Sequence, residues 1–104
     1  MNQKQYLEFQ EQKMKEMREI TKRKNSDYAG LGDAFANFTL VEKLGISSTE
    51  VGFLTRMTDK LSRIATFTQK GELQVKDESV MDTLMDLSNY CILMMGYLES
   101  KKEK

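Results

Sequence analysis

The sequence predicts an all-α protein: an antiparallel helical bundle of three main helices and one short helix, completed by oligomerisation. The 104 residues contain no proline and only six glycines, the residues that most disfavour helices. Apolar residues also recur at three- and four-residue spacing, which is the pattern of amphipathic helices. A chain of this length suits a single domain, residues 1–104.

The first helix is predicted over residues 3–24, where Lys, Glu and Gln cover the surface and the last turn is basic. Residues 24–33 form the main predicted loop, because Asn, Ser, Asp and Gly are concentrated there. A short helix is then expected to begin near Asp33, as its N-cap, and to end at Gly45.

Two longer helices follow, each with a predicted start signal. Ser47 and Glu50 match a capping box, and the helix after them is expected to run to about Lys70 and stop at Gly71. Asp77 is expected to cap the last helix, which frays near the end of the chain.

The long helices carry apolar stripes that we interpret as packing surfaces. The stripe of the third helix comprises Val51, Leu54, Met57, Leu61 and Ile64. The stripe of the last helix comprises Val80, Leu84, Leu87, Cys91, Met94 and Leu98. The single cysteine, Cys91, is expected to be a small core residue. Residues 90–98 are apolar all round apart from Gly96, so this segment needs covering on every side and predicts a homo-oligomer, a dimer or tetramer.

Composition excludes several classes of function. There is no histidine, which removes Ser-His-Asp and Cys-His catalysis and the Cys/His type of zinc site. Sixteen basic and sixteen acidic residues balance, so no net charge recruits nucleic acid or an acidic membrane. No apolar run is long enough to span a bilayer, no signal peptide is visible, and one cysteine suits a cytoplasmic protein.

An acidic stripe on the last helix is the first candidate site. Glu78, Asp82 and Asp86 are four residues apart and share a face with Asn89. Like charges on one face need a counter-charge, and apolar neighbours predict that the stripe is partly buried. Two alternatives remain open: an oxygen-ligated Mg²⁺ site, and a salt-bridge network with cations of the preceding helix.

Cations and a loop provide two further candidates. Arg56, Lys60 and Arg63 surround Asp59 on the third helix, which is either a phosphate-binding face or a solvated helix surface. The loop with Lys24, Asn25, Asp27 and Tyr28 either holds a sugar or phosphate or is a turn bonded to its own backbone. Phe35 and Phe38 are interpreted as core rather than as a base-stacking platform.

Three segments resemble a known family: residues 24–28, 56–63 and 77–90. They occur in the same order in small phage and bacterial proteins called nucleotide modification associated domain 1, and the resemblance covers roughly residues 17–98. This family looks related to the all-α NTP pyrophosphohydrolases of the MazG and dUTPase type. Those enzymes bind Mg²⁺ through acids on two helices and hydrolyse nucleoside triphosphates to monophosphates.

The resemblance implies roles for particular residues. Glu78 and Asp82 match the acids of the second metal-binding helix, where Asn89 would bind substrate. On the preceding helix, Asp59 is the sole acid where the pyrophosphohydrolases have a cluster of glutamates. One metal, or nucleotide binding without hydrolysis, fits this departure better than a site with two or three metals.

Two functional hypotheses follow from these observations. In the first, the chain is a nucleotide-binding, Mg²⁺-dependent, phosphohydrolase-like protein of phage nucleotide metabolism, in which the metal polarises the attacking water. Its predicted residues are Glu78 and Asp82 as catalytic residues and metal ligands, Asp59 and Asp86 as further ligands, and Lys24, Asp27, Tyr28, Arg56, Lys60, Arg63 and Asn89 as substrate contacts. In the second, a non-enzymatic helical phage protein binds a host protein or sequesters a signalling nucleotide.

Overall fold

The fold is all-α, as predicted. A computed structural model describes residues 1–28, 32–71 and 79–102, with the side chains of residues 25–28 left out. The described residues form four helices and no strand: α1 (Gln3–Tyr28), α2 (Ala36–Lys43), α3 (Thr49–Lys70) and α4 (Val80–Lys102). Within these residues no helix is both long and apolar enough to cross a membrane.

The chain divides into two compact units, Met1–Ala34 and Phe35–Lys104, which are described separately. The first unit is dominated by α1. Its start is fixed by reciprocal hydrogen bonds, in which the Gln5 amide donates to Asn2 Oδ1 (2.8 Å) and the Asn2 amide donates to Gln5 Oε1 (2.9 Å). The helix extends four residues beyond the predicted end, through the first half of the segment predicted as a loop.

The second unit contains α2, α3 and α4, and its core is aromatic. Phe53 is fully buried and stacks on Phe38, with ring centroids 4.1 Å apart and planes 8° apart. Tyr90 meets the edge of Phe38, and Tyr97 lies against Phe53. These contacts join α2, α3 and α4 around one small cluster.

Helices α3 and α4 are antiparallel. Glu50, at the start of α3, pairs with Lys101, at the end of α4, with 3.1 Å between Oε2 and Nζ. Further along, Lys60 of α3 pairs with Asp86 of α4 at 3.3 Å. As the residue number rises along α3, it falls along α4, as in an up–down bundle.

Two predicted helix starts were wrong in position. The N-cap of α3 is Ser48 rather than Ser47, because Ser48 has the extended backbone and its Oγ accepts from the Val51 amide at 3.1 Å. Helix α2 begins after Phe35 rather than at Asp33, without a side-chain cap. The predicted end of α3 was right: Gly71 is left-handed with φ 77°, which favours glycine.

The predicted packing stripes were partly wrong. Cys91 is exposed instead of buried. Of the two predicted stripes, the following residues are also exposed: Val51, Leu54, Leu61, Leu84 and Leu98. The buried side of α3 is instead the side of Phe53, because α2 and the tyrosines of α4 lie there.

Candidate functional site

One side of the α3–α4 pair is polar. It is built from Arg56, Asp59, Lys60 and Arg63 of α3 and from Asp82, Asp86 and Asn89 of α4, and we call it the polar side. These residues lie at helical spacings on each helix, and the Lys60–Asp86 ion pair brings the two sets together.

Lys60 is the centre of the polar side. Its side chain is only 13% exposed, and its Nζ lies 3.3 Å from Asp86 Oδ2 and 3.9 Å from Asp59 Oδ2. Asp59 also forms an ion pair with Arg63, whose Nε lies 3.5 Å from Asp59 Oδ2. The Asp86 side chain is 22% exposed and that of Asp59 is 59% exposed, so the interhelical pair is the better shielded one.

Arg56 is held differently from the other two cations. Its guanidinium carbon lies 4.6 Å from the centroid of the Phe38 ring, and Nη2 donates to the Asn37 carbonyl at 3.4 Å. The residue is exposed. Among the described residues of the second unit, no carboxylate forms an ion pair with it, and its contacts are those to Phe38 and Asn37. Arg56 is therefore a fixed cation whose charge is open to solvent.

The acidic stripe separates into residues with different environments. Asp82 is exposed at the start of α4, where its Oδ2 accepts from the Ser79 amide (3.4 Å) and its own amide donates to Ser79 Oγ (3.1 Å). This is a capping box, with Ser79 as the cap. Asp86 pairs with Lys60, and Asn89 is half-buried on the same flank of α4. Glu78 and the predicted cap Asp77 lie outside the described residues.

The metal site remains a prediction. In the part of the chain that the structure describes, no three acidic or cysteine side chains form a group that could hold a metal ion. Asp59 and Asp86 lie against cations, and Asp82 lies at a helix start. Of the two alternatives for the stripe, the structure therefore shows an ion pair at Asp86.

The loop candidates belong to the first unit. Lys24 is exposed on α1, and Asp27 and Tyr28 are its last residues, with side chains that are not described. Phe38 is 5% exposed and belongs to the core, as predicted. What the sequence did not reveal is that Phe38 and the Asn37 carbonyl hold Arg56. These residues are 18 and 19 positions away, so no local pattern connects them.

The chain is thus a small all-α protein with a mixed cationic and acidic surface on two antiparallel helices. The family model described as nucleotide modification associated domain 1 matches residues 24–98, and the chain belongs to that family. The match covers the polar side completely. Neither the curated proteins nor the solved structures contain a match to this chain.

Proposed function

We propose that this protein binds a nucleotide, with the phosphates on the polar side of α3–α4. The observation that carries the proposal is Arg56, a guanidinium fixed over the Phe38 ring and without an acidic partner among the described residues of the second unit. An arginine that is already ordered loses little entropy on binding, and its fork of N–H donors suits phosphate oxygens. Membership in a nucleotide modification associated family supports the same ligand class.

Lys60 and Arg63 extend the cationic surface from Arg56. The three positions follow one flank of α3, and seven residues of helix span roughly 10 Å, a length over which a phosphate chain can extend. With Asp59, Asp82 and Asp86 counted, three positive and three negative charges leave no net charge on the polar side. This balance favours a ligand that contacts Arg56 and is recognised by hydrogen bonds to polar groups such as Asn89 over a ligand attracted by net charge alone.

Hydrolysis is a separate question from binding. The described acids of the polar side already contact Lys60, Arg63 and the Ser79 amide. An oxygen-ligated Mg²⁺ site needs carboxylates that face a common metal ion, and this arrangement does not match that requirement. We therefore base no catalytic step on a metal. Sequestration of a nucleotide without turnover uses the same surface and is the alternative within this proposal.

Calorimetric titration with ATP, GTP, dTTP and inorganic tripolyphosphate tests the proposal. Arg56→Gln removes a charge-assisted hydrogen bond of about 1.5–3 kcal/mol, so the affinity for the bound nucleotide should fall roughly tenfold or more. Arg56→Lys keeps the charge but not the fork, and we expect an intermediate loss. Lys70→Gln is the matched control, since it removes one exposed cation at the far end of α3.

The outcomes separate the alternatives. Equal weakening by Arg56→Gln and Lys70→Gln would show that charge alone attracts the ligand, and the absence of binding by every probe would refute the proposal. Release of phosphate or pyrophosphate in the presence of Mg²⁺ would favour hydrolysis, whereas binding without release would favour sequestration. Thermal melts of each variant would exclude unfolding as the cause.

A further inference from the structure

The exposed flank of α3 carries a regular uncharged stripe. Its members alternate at three- and four-residue spacing, which is the repeat of helices that pack against other helices. They are Val51, Leu54, Thr58, Leu61, Ala65 and Thr68, and all six are exposed. Val51, Leu54 and Leu61 are each about half exposed, at 48%, 57% and 52%. Such side chains usually lie against another helix rather than in water.

The exposed flank of α4 carries a stripe with the same spacing. Its members are Met81, Leu84, Ser88, Cys91, Met95 and Leu98, all exposed and none charged. Met95 is 60% exposed, and Ile92 beside it is 49% exposed. By contrast, only two hydrophobic residues among the described ones, Phe38 and Phe53, are buried.

Both stripes lie on one side of the helix pair. At about 100° per residue, the residues of α3 that face α4 form one line along the helix. Leu54 and Leu61 lie on one flank of this line, and Arg56 and Arg63 lie on the other flank. On α4, Leu84 and the polar Asn89 likewise lie on opposite flanks of the line that faces α3. In an antiparallel pair the corresponding flanks share a side, and the Lys60–Asp86 ion pair shows that the polar flanks do so. The two uncharged stripes therefore form a second side, which we call the apolar side.

Helix α2 leaves the apolar side open. A Cβ at Gly52 would lie 2.9 Å from Val41, and a Cβ at Gly96 would lie 3.3 Å from Phe35. Both glycines are on the polar flanks of their helices, so α2 and the residue before it pack on the polar side. Within the second unit, no described element covers the apolar side.

The hydroxyl groups of the apolar side are already satisfied. Thr58 donates to the Leu54 carbonyl at 2.8 Å, Thr68 to the Ala65 carbonyl at 2.7 Å and Ser88 to the Leu84 carbonyl at 2.9 Å. Burying these side chains against another helix would break no hydrogen bond to the protein and would leave no donor unpaired. The whole side can therefore be removed from water at little polar cost.

We propose that the apolar side is the interface for a second copy of this chain, which joins α3 and α4 of two protomers in a four-helix bundle. Such a bundle needs four stripes of this spacing, and each copy supplies two. In a twofold dimer the same surface of each copy faces the other. Because neither stripe has a charged member, their contact would bring no like charges together. Each stripe runs about 26 Å along its helix, and two helices are about 20 Å wide. Two copies then cover about 1,000 Å² before side-chain roughness is counted, which is the lower limit of area for a specific interface.

Sedimentation equilibrium of the full chain tests this interface. The wild-type protein is expected at twice the 12.1 kDa chain mass at micromolar concentrations, and Leu61→Glu should halve that mass. Leu40→Glu is the matched control, because Leu40 is 50% exposed against 52% for Leu61 but lies on α2. The control should remain a dimer.

Alkylation of Cys91 gives a second measurement. Cys91 is exposed in one chain and covered in the proposed dimer, so a bulky maleimide should react faster with Leu61→Glu than with wild type while both keep the same helical circular dichroism. A wild-type mass of 12.1 kDa would overturn the proposal and leave α1 or a different protein as the occupant. An assembly that Leu61→Glu does not change would also overturn it, since the copies would then meet elsewhere.

Discussion

The ion pair between Lys60 and Asp86 permits a quantitative test of how α3 and α4 are joined. At 3.3 Å and an effective dielectric constant of about 20, Coulomb attraction is about 5 kcal/mol, and desolvation of both groups offsets most of it. The side chains are 13% and 22% exposed, so this ion pair is intermediate between a surface pair and a fully buried pair. We therefore expect a coupling free energy of about 1–2 kcal/mol, above the ~1 kcal/mol limit of exposed pairs.

A double-mutant cycle measures this coupling. Lys60→Met, Asp86→Asn and the double variant would be unfolded in urea, and the non-additive part of the free energies of unfolding gives the pair term. The control cycle joins Lys60→Met with Asp59→Asn, where the carboxylate is 59% exposed and 3.9 Å away, and its coupling should stay below about 0.5 kcal/mol. Equal coupling in the two cycles would refute the argument that burial between the helices sets the strength of the pair.

Three further predictions concern the packing of the second unit. Phe53→Ala should cost about 3–5 kcal/mol in urea unfolding, against about 1 kcal/mol or less for the half-exposed Leu40→Ala, and similar losses would contradict the aromatic core. An exposed helical Gly→Ala change raises the free energy of unfolding by ~1 kcal/mol, but Gly52→Ala should not, because the new Cβ would lie 2.9 Å from a side chain of α2. A gain of that size in the same assay would argue against this contact. The hydrogen bond from Lys101 lowers the pKa of Glu50 below its ordinary value of 4.5. The ionised Glu50 therefore stabilises the fold at pH values above 4.5, and this stabilisation is lost as the pH falls through the folded-state pKa. Thermal melts of wild type and Glu50→Gln should therefore converge at low pH, and a constant difference down to acid pH would refute the pairing.

Helix existence and the end of α3 could be predicted because their causes are local. The left-handed Gly71 needs only its own backbone, and helix propensity needs only the neighbouring residues. The start of α3 was missed by one residue because Ser47 and Ser48 both have a hydroxyl that can cap. The structure places the extended backbone at Ser48, and Glu42 of α2 accepts from the next amide, that of Thr49, at 3.0 Å.

The side that each helix buries could not be predicted, because it depends on its neighbours. Val51, Leu54 and Leu61 match an apolar stripe as well as Phe53 does. The choice is made by Phe38, which stacks on Phe53 from a different helix. Periodicity alone finds the stripes but does not say which of them is filled within one chain.

The candidate site was predictable in its residue types but not in its pairings. Asp86 and the cations of α3 were expected to meet if the stripe was structural, and the structure shows that contact. The support of Arg56 by Phe38 and the Asn37 carbonyl depends on how α2 folds back on α3. Glu78 lies outside the described residues, so its role as a metal ligand remains a prediction.

The polar and apolar sides lie on opposite sides of the same helix pair, so the two proposals make separable predictions. A dimer formed through the apolar side leaves Arg56 accessible in both copies, and calorimetry should give one nucleotide per chain. Leu61→Glu should then halve the mass while leaving nucleotide affinity within about twofold, because its side chain lies away from the polar side. Arg56→Gln should do the reverse, with weaker binding and an unchanged mass. If Leu61→Glu abolished binding in a chain that remained helical, the nucleotide site would have to include both protomers, and its assignment to one α3–α4 pair would be wrong.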